Sequence, residues 1–383
     1  MASVGIVIPL FNLGAHVDRC LESLAAQTLR DWSAVIIDDG STDDGPDRVA
    51  HHARHDPRIR LLRQPNAGVC AARNRGLDEL DRLASPAPDT FTLLLDPDDT
   101  LMPDALEVLC RAALAAGAPA AMGDFSMVDR LGRHLHDHAG RVPRVGLDEL
   151  LGSVFMLISC HMVRREAWHG LRFDATLPLI EDTDLWLRLG EDGVWWTCVR
   201  RAVTSYTIRP DSRSARHAQM LSDTEQVYRR AYARARATGL NVDTSEARLS
   251  GVLARAALNY SARAMMGGAS PHTAAAMLAR HADAGPRAGF RPDAPFLIRT
   301  ARRAAVMALA LNPDNPENLP RWVPAARCWL HLLTTRGWAD AREVHRALET
   351  IESPADAVGS TGPAQPGGTR TTHTMIARAS ARP

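Results

Sequence analysis

Three carboxylates close the apolar run "LLLDPDDTL" (93–101): Asp96, Asp98 and Asp99. They stand where a buried strand would reach the surface, and three readings fit them. Carboxylate oxygens are the ligands that hard divalent cations prefer, so the run could clamp a metal and a diphosphate. The same letters fit the D-x-D-x-T pattern of aspartyl phosphatases, in which one aspartate is a nucleophile. An acidic turn without chemistry is the third. A second acidic pair opens "IDDGSTD" (37–43), where Gly40 permits close backbone approach. Carboxylates there suit an imide N–H or sugar hydroxyls, whereas Ser41 and Asp43 also suit the start of the next helix. "NAGVCAARN" (66–74) adds Asn66 and Arg73. "LIEDTDLWLRLGEDG" (179–193) sets Glu181 and Asp182 just ahead of a helical pattern. Acids there favour the helix dipole, and one of them could equally be a general base.

The elements that must position these groups follow from the pattern. "SVGIVIPL" (3–10), "WSAVIIDD" (32–39), "RIRLLRQ" (58–64) and "TFTLLLD" (90–96) read as strands, each followed by a helical stretch. Strands alternating with helices predict an α/β fold, a mostly parallel sheet with helices on both faces. Ligands of such sheets bind at the carboxyl ends of the strands. Asn12, Asp38-Asp39, Asn66 and Asp96-Asp98-Asp99 all fall at those ends, and four polar ends on one sheet edge define a site. The pattern is mixed over 120–215. Residues 216–352 are rich in Ala and Arg and read as a helical region, and 353–383 have the Gly/Pro/Ser/Thr composition of a disordered tail. The expected domains are therefore 1–215, 216–352 and that tail.

The chain has 383 residues, 45% hydrophobic and 23% charged, with a formal net charge of +1. That is a soluble globular composition with no electrostatic case for nucleic acid. All 45 basic residues are arginine, since the sequence contains no lysine. Schiff-base chemistry and P-loop nucleotide hydrolysis are thereby excluded. The phosphatase reading suffers as well, because that chemistry wants a lysine or equivalent cation and a nucleophile on the first strand. Here the run ends about the fourth strand. Six scattered cysteines without a C-x-x-C read as buried thiols of a reducing compartment. The N-terminus enters a strand at once, without a signal-peptide pattern, and no apolar run approaches the ~20 residues of a membrane helix. The expected location is cytoplasmic, with peripheral contact at the inner membrane face.

Together "VIPLFN", "IDDGSTD", "NAGVCAARN", "LLLDPDDT" and "EDTDLWLRL" resemble the family-2 glycosyltransferases of the GT-A fold, over roughly residues 3–214. The resemblance implies an inverting, metal-dependent transfer of sugar from a nucleotide-sugar donor, UDP-linked by preference. The acceptor would be a hydroxyl of a glycan, lipid-linked or protein substrate, in cell-surface polysaccharide or glycoconjugate synthesis. It also assigns residues. Pro9, Phe11 (where Tyr is usual) and Asn12 line the nucleotide cleft, and Asp39 contacts the base with Ser41 beside it. Asn66 and Arg73 hold the nucleoside. Asp96 faces ribose or sugar, and Asp98 with Asp96 holds Mg²⁺ or Mn²⁺ on the diphosphate. Asp182 is the catalytic base and Glu181 its neighbour.

The segment "YTIRPDSRS" (206–214) departs from the family, with Thr207 for a common Arg and Arg209 for a common His. A guanidinium is no metal ligand, so Arg209 is expected to pair with the diphosphate. His134, His136 and His138 alternate and would share one strand face, as a zinc site or as incidental histidines of an acceptor-side loop. The C-terminal helices would serve the acceptor site, a homodimer contact or a membrane surface. A non-catalytic sugar-nucleotide-binding or scaffold protein of the same fold is the rival, and the retained Asp98 and Asp182 argue against it.

Overall fold

The structure is a computed structural model that describes residues 2–83, 89–140, 142–152, 157–209, 211–281, 290–311 and 319–352. It opens with β1 (Ser3–Leu10), α1 (Gly14–Ala25), β2 (Trp32–Asp38), α2 (Gly45–His55), β3 (Ile59–Arg63), α3 (Val69–Leu83) and β4 (Thr90–Leu94). The sequence's alternation of strand and helix is realised here. β3, β2, β1 and β4 lie side by side and parallel. β1 is buried on both faces, as strands covered by helices must be. Val4, Ile6, Ile8 and Leu10 pack with α1, while Val7 turns to the opposite face with Leu77 and Leu80 of α3. A Cβ on Gly76 would come within 2.2 Å of a Val7 methyl, so glycine is what lets α3 lie this close to β1.

The chain continues through β5 (Thr100–Leu101), α4 (Ala105–Ala116), β6 (Ala120–Val128), β7 (His134–His138), β8 (Arg144–Val145), α5 (Leu147–Leu151), β9 (His161–Arg164), α6 (Glu181–Glu191) and β10 (Trp196–Thr207). The sheet order is β3-β2-β1-β4-β9-β6-β10-β5, with β7 on β6 and β8 on β10. β9 runs antiparallel to both β4 and β6, so the whole sheet is mixed rather than mostly parallel. The cause is local. β9 is entered from a short turn, Ile158–Cys160, beside the carboxyl end of β4, and a strand that starts there must run backwards.

Strand order reverses between β1 and β4. The chain first builds β2 and β3 on one side of β1 and then places β4 on the other, which is where open α/β sheets hold ligands. Pro9 sharpens this crevice. β1 stays paired with β2 up to Leu10↔Asp38, but its ladder with β4 stops at Val7↔Leu94. Proline has no N–H to extend that ladder.

Every described helix or strand after β10 is helical: α7 (His217–Ala237), α8 (Glu246–Met266), α9 (Pro271–Arg280), α10 (Ala294–Leu311), α11 (Leu319–Thr335) and α12 (Ala341–Glu352). α7 and the first turns of α8 are no separate layer, because Val227, Tyr228, Tyr232, Leu249 and Leu253 share a core with Trp186 and Leu189 of α6. The later helices close around Trp329, Leu330 and Trp338. The expected disordered tail, 353–383, lies outside the described residues. Among those described, no helix is long and apolar enough to cross a membrane. Four cysteines are buried, Cys198 is partly so, and Cys328 is exposed on α11, where the expectation of buried thiols does not hold.

Candidate active site

The β1–β4 crevice gathers the sequence's polar strand ends and ties most of them to one another. Asn12 sits just past β1 with φ at 51°, a conformation asparagine tolerates better than most residues. Its N–H donates to Ser41 Oγ (3.1 Å), and its Oδ1 accepts from the Thr42 N–H (2.8 Å). Ser41 thus meets Asn12 rather than a helix end. Asp43 serves the starts of two helices, accepting from the N–H of Gly14 (2.8 Å), first residue of α1, and of Gly45 (3.1 Å), first residue of α2. Phe11 projects beside them and is 47% exposed.

Asp39 is buried and fully engaged. It accepts from Gln64 Nε2 (2.7 Å), Ala67 N–H (2.9 Å) and Gly68 N–H (2.8 Å). The family resemblance assigns it to a nucleotide base; the geometry first gives it the shape of the 64–68 loop. Gly40, at φ 78°, allows this loop to come in, since a Cβ there would lie 2.9 Å from the Asn66 backbone nitrogen. Asn66 itself is exposed.

Arg73 reaches across from α3. Only 3% exposed, it donates to Asp96 Oδ1 (2.7 Å) through one terminal nitrogen and to Glu181 Oε1 (2.8 Å) through the other. Its Nε has no partner, and the guanidinium lies 5.3 Å from the Phe173 ring centroid. Glu181 also pairs with Arg213. Burial opposes its charge, but Arg73 and Arg213 prevail and hold its carboxyl below the usual range. Its neighbour Asp182 goes the other way: burial, then the Glu181 charge, push it up to about 6. Asp182 accepts from the Thr183 N–H (2.6 Å) at the first turn of α6. The residue before the pair, Ile180, stands at φ 61°, a genuine outlier for a β-branched side chain. Asp223 of α7 steadies this entry by accepting from the Leu179 N–H (3.2 Å).

Asp96, Asp98 and Asp99 each offer an oxygen within 4.8 Å of the others. Asp99 is wholly buried and spent on the fold: Ser159 Oγ donates to one oxygen (2.6 Å) and the Thr207 N–H to the other (3.1 Å). Burial, then Asp98 and Asp96, push its carboxyl well up. Asp98 accepts from Arg209 Nε at 2.7 Å, and Arg209 also holds Asp211 (2.7 Å). Burial and Asp96 still outweigh Arg209 in raising Asp98 above the ordinary carboxylate range. One oxygen each of Asp96 and Asp98 is thus left, an all-oxygen donor pair that fits a hard cation, for which one or two protein carboxylates suffice beside phosphate. His16 on α1 faces the same group, and burial and Arg209 hold it below its usual value.

The model of the family described as Glycosyl transferase family 2 matches residues 5–170. Those residues belong to glycosyl transferase family 2. The chain is 32% identical over 197 residues to the succinoglycan biosynthesis protein ExoW of Rhizobium meliloti, covering 47% of this chain and 60% of that one. Over 196 residues it is 31% identical to the chondroitin synthase of Escherichia coli, covering 50% of this chain and 27% of that one. Over 111 residues it is 37% identical to the uncharacterized glycosyltransferase YibD of E. coli, covering 29% of this chain and 30% of that one. It spans less than two thirds of each. Residues 1–349 of S. aureus TarS, solved with UDP-GlcNAc, superpose with a TM-score of 0.52 at 16% identity, over 80% of this chain and 89% of that one. That likeness shows the fold, a GT-A-like one.

The structure brings Arg73, Asp96, Asp98, Glu181, Asp182 and Arg209 into one network, and Asn12, Asp39 and Ser41 into the loops beside it. Arg209 meets Asp98 and Asp211 rather than standing free for a diphosphate. The alternating histidines form an edge strand, not a loop. His134 bonds Asp137 (2.8 Å) and His138 stacks on Phe125 at 4.5 Å, and the metal-ligand cluster found among the described residues is the aspartate one. Ser159 and Asp223 carried no sequence signal, since each is a single polar letter without a pattern around it, and Arg213 lies in "YTIRPDSRS" but was given no role there.

Proposed function

We propose that the protein is an inverting glycosyltransferase that moves a sugar from a nucleotide-sugar donor, UDP-linked by preference, to a hydroxyl of a glycan, lipid-linked or protein acceptor in cell-surface polysaccharide or glycoconjugate synthesis. Asp182 carries the reading. A general base works best with a pKa near the operating pH, and burial with Glu181 brings Asp182 to about 6. It stands in the crevice network through Arg73, which joins Asp96 to its neighbour Glu181. Asp182 would take the proton of the acceptor hydroxyl as that oxygen attacks the anomeric carbon opposite the leaving diphosphate. Glu181 and Arg73 act on it, one raising and the other lowering its proton affinity. Asp96 and Asp98 would hold Mg²⁺ or Mn²⁺, which supplies charge stabilisation for the leaving diphosphate. Arg209, beside Asp98, adds a fixed cation there. Pro9, Phe11, Asn12 and Asn66 line the nucleotide's side, and Asp39 and Ser41 shape it. The names of the relatives, a succinoglycan biosynthesis protein and a chondroitin synthase, and the UDP-GlcNAc bound to TarS support the substrate class.

A panel of UDP-, GDP- and dTDP-sugars, each with and without Mn²⁺, tests this by thermal shift and donor hydrolysis. One donor should raise the melting temperature in a metal-dependent way and be slowly hydrolysed. A flat response to all of them would overturn the reading in favour of a scaffold.

A further inference from the structure

Arginines in this protein are mostly paired with acids, which makes two on α8 conspicuous. Arg255 and Arg263 are both partly buried, and among the described residues neither has a carboxylate partner. Arg255 gives one N–H to the Gly152 carbonyl (3.1 Å). Arg263 lies over the Tyr260 ring, 5.7 Å from its centroid. Between them Asn259, also partly buried, has no hydrogen-bond partner among the described residues. Positions 255, 259 and 263 follow at intervals of four, so they share one face of α8. Opposite Arg263, at the start of α7, the Nδ1 of His217 is buried without a partner.

A guanidinium partly withdrawn from water without an anion is costly, and a sequence that keeps two leaves room for an anion from outside. The surroundings agree. Burial lowers the proton affinity of Arg255, as it does for a cation without a counter-charge. Burial and Arg263 push His217 down to about 4, so it stands as a neutral donor–acceptor. Tyr260 feels both Arg263 and Asp182, and Tyr206 feels Asp99 and Asp98 on one side and Arg263 on the other. The Arg263 end of the stripe therefore lies towards the candidate base.

We infer that the face of α8 carrying Arg255, Asn259 and Arg263, with His217, is an acceptor subsite that binds an oxyanion, carboxylate or phosphate, on the substrate receiving the sugar. This rests on the transferase reading above. A planar guanidinium binds either anion bidentately, and the amide and imidazole add hydrogen bonds to its remaining oxygens or to adjacent hydroxyls.

The test is calorimetric, on the full chain with saturating UDP and Mg²⁺. Three probes are titrated: a galacturonate hexamer, a glycerol-phosphate hexamer and neutral maltohexaose. At least one anionic probe should bind and maltohexaose should not; which of the two binds tells carboxylate from phosphate. The variants Arg263→Gln and Arg255→Gln should each weaken that probe by about tenfold or more. Arg263→Lys should keep part of the affinity, and the exposed control Arg229→Gln all of it. UDP titrated alone into Arg263→Gln should bind as in wild type. Failure of both anionic probes, undiminished binding in both Gln variants, or displacement of the probe by UDP would overturn the inference. Failure of UDP to bind wild type would instead count against the donor reading, leaving the anion site to be judged from the probes without nucleotide.

Discussion

On the strand side of the crevice, Arg73 and Arg209 each grip two carboxylates; on the helix side, Arg255 and Arg263 grip none among the described residues. The strand side is a closed circuit. Asp39, Asn12, Asp43, Asp99 and Ser159 spend their hydrogen bonds on nearby backbone N–H groups and side chains and leave little unsatisfied. Such a circuit fixes positions in advance, which is what orienting a donor and its leaving group demands. The helix side is an open one, with a cationic stripe, an idle amide and an unpartnered imidazole nitrogen. Groups of that kind cost stability in the empty protein and are satisfied by a ligand. Arginine thus builds the frame on one wall and awaits a partner on the other.

Several substitutions press on this contrast, the largest first. Asp182→Asn should lower turnover by about a thousandfold or more while the donor's Kd stays within about twofold; lost donor affinity would place Asp182 in the frame instead. Asp98→Asn should cost about a hundredfold and abolish the metal dependence of donor binding, and full activity there would remove the metal role. Wild-type kcat/KM should fall about tenfold for each pH unit below about 6, because protonated Asp182 is no base. The same shift has a stability sign. A carboxyl raised in the folded state contributes stability below its unfolded pKa of 3.8 and loses it as pH rises through about 6. Asp182→Asn should therefore be more stable than wild type at pH 8, by on the order of 2 kcal/mol, and lose that advantage near pH 4 in paired melts. The smallest pair is the most telling for the two walls. Asp39→Ala orphans three donors and should lose about 2–4 kcal/mol in urea titration. Arg263→Gln should be neutral or slightly stabilising; equal losses in both would show that the helix wall is framework too.

The sequence carried the strand side well, because each piece there is a pattern. Apolar runs of strand length end in acids, and the runs alternate with helices, so β1 to β4 and their polar ends follow from local order. The mixed half of the sheet was not legible. β9 is four residues long, and its reversed direction comes from where the chain re-enters the sheet, which no local pattern encodes. The acidic letters were legible as chemistry but not as partners. Asp39 as a loop clasp and Arg209 as the mate of Asp98 depend on contacts across 28 and 111 residues. Arg255 and Arg263 were invisible for another reason. Among so many arginines, lacking an acid is a property of the neighbourhood and leaves no trace in composition.

Arg73 also makes the crevice a thermodynamic device. One guanidinium is divided between Asp96, at the proposed donor end, and Glu181, next to Asp182. Any ligand that draws Asp96 away leaves the whole charge to the Glu181 side and eases the ionisation of Asp182. Linkage is reciprocal, so a donor that loosens the proton of Asp182 must itself be bound more tightly once that proton has gone. The two substrates would then communicate through a single side chain: loading the donor readies the base, and the acceptor meets it already charged.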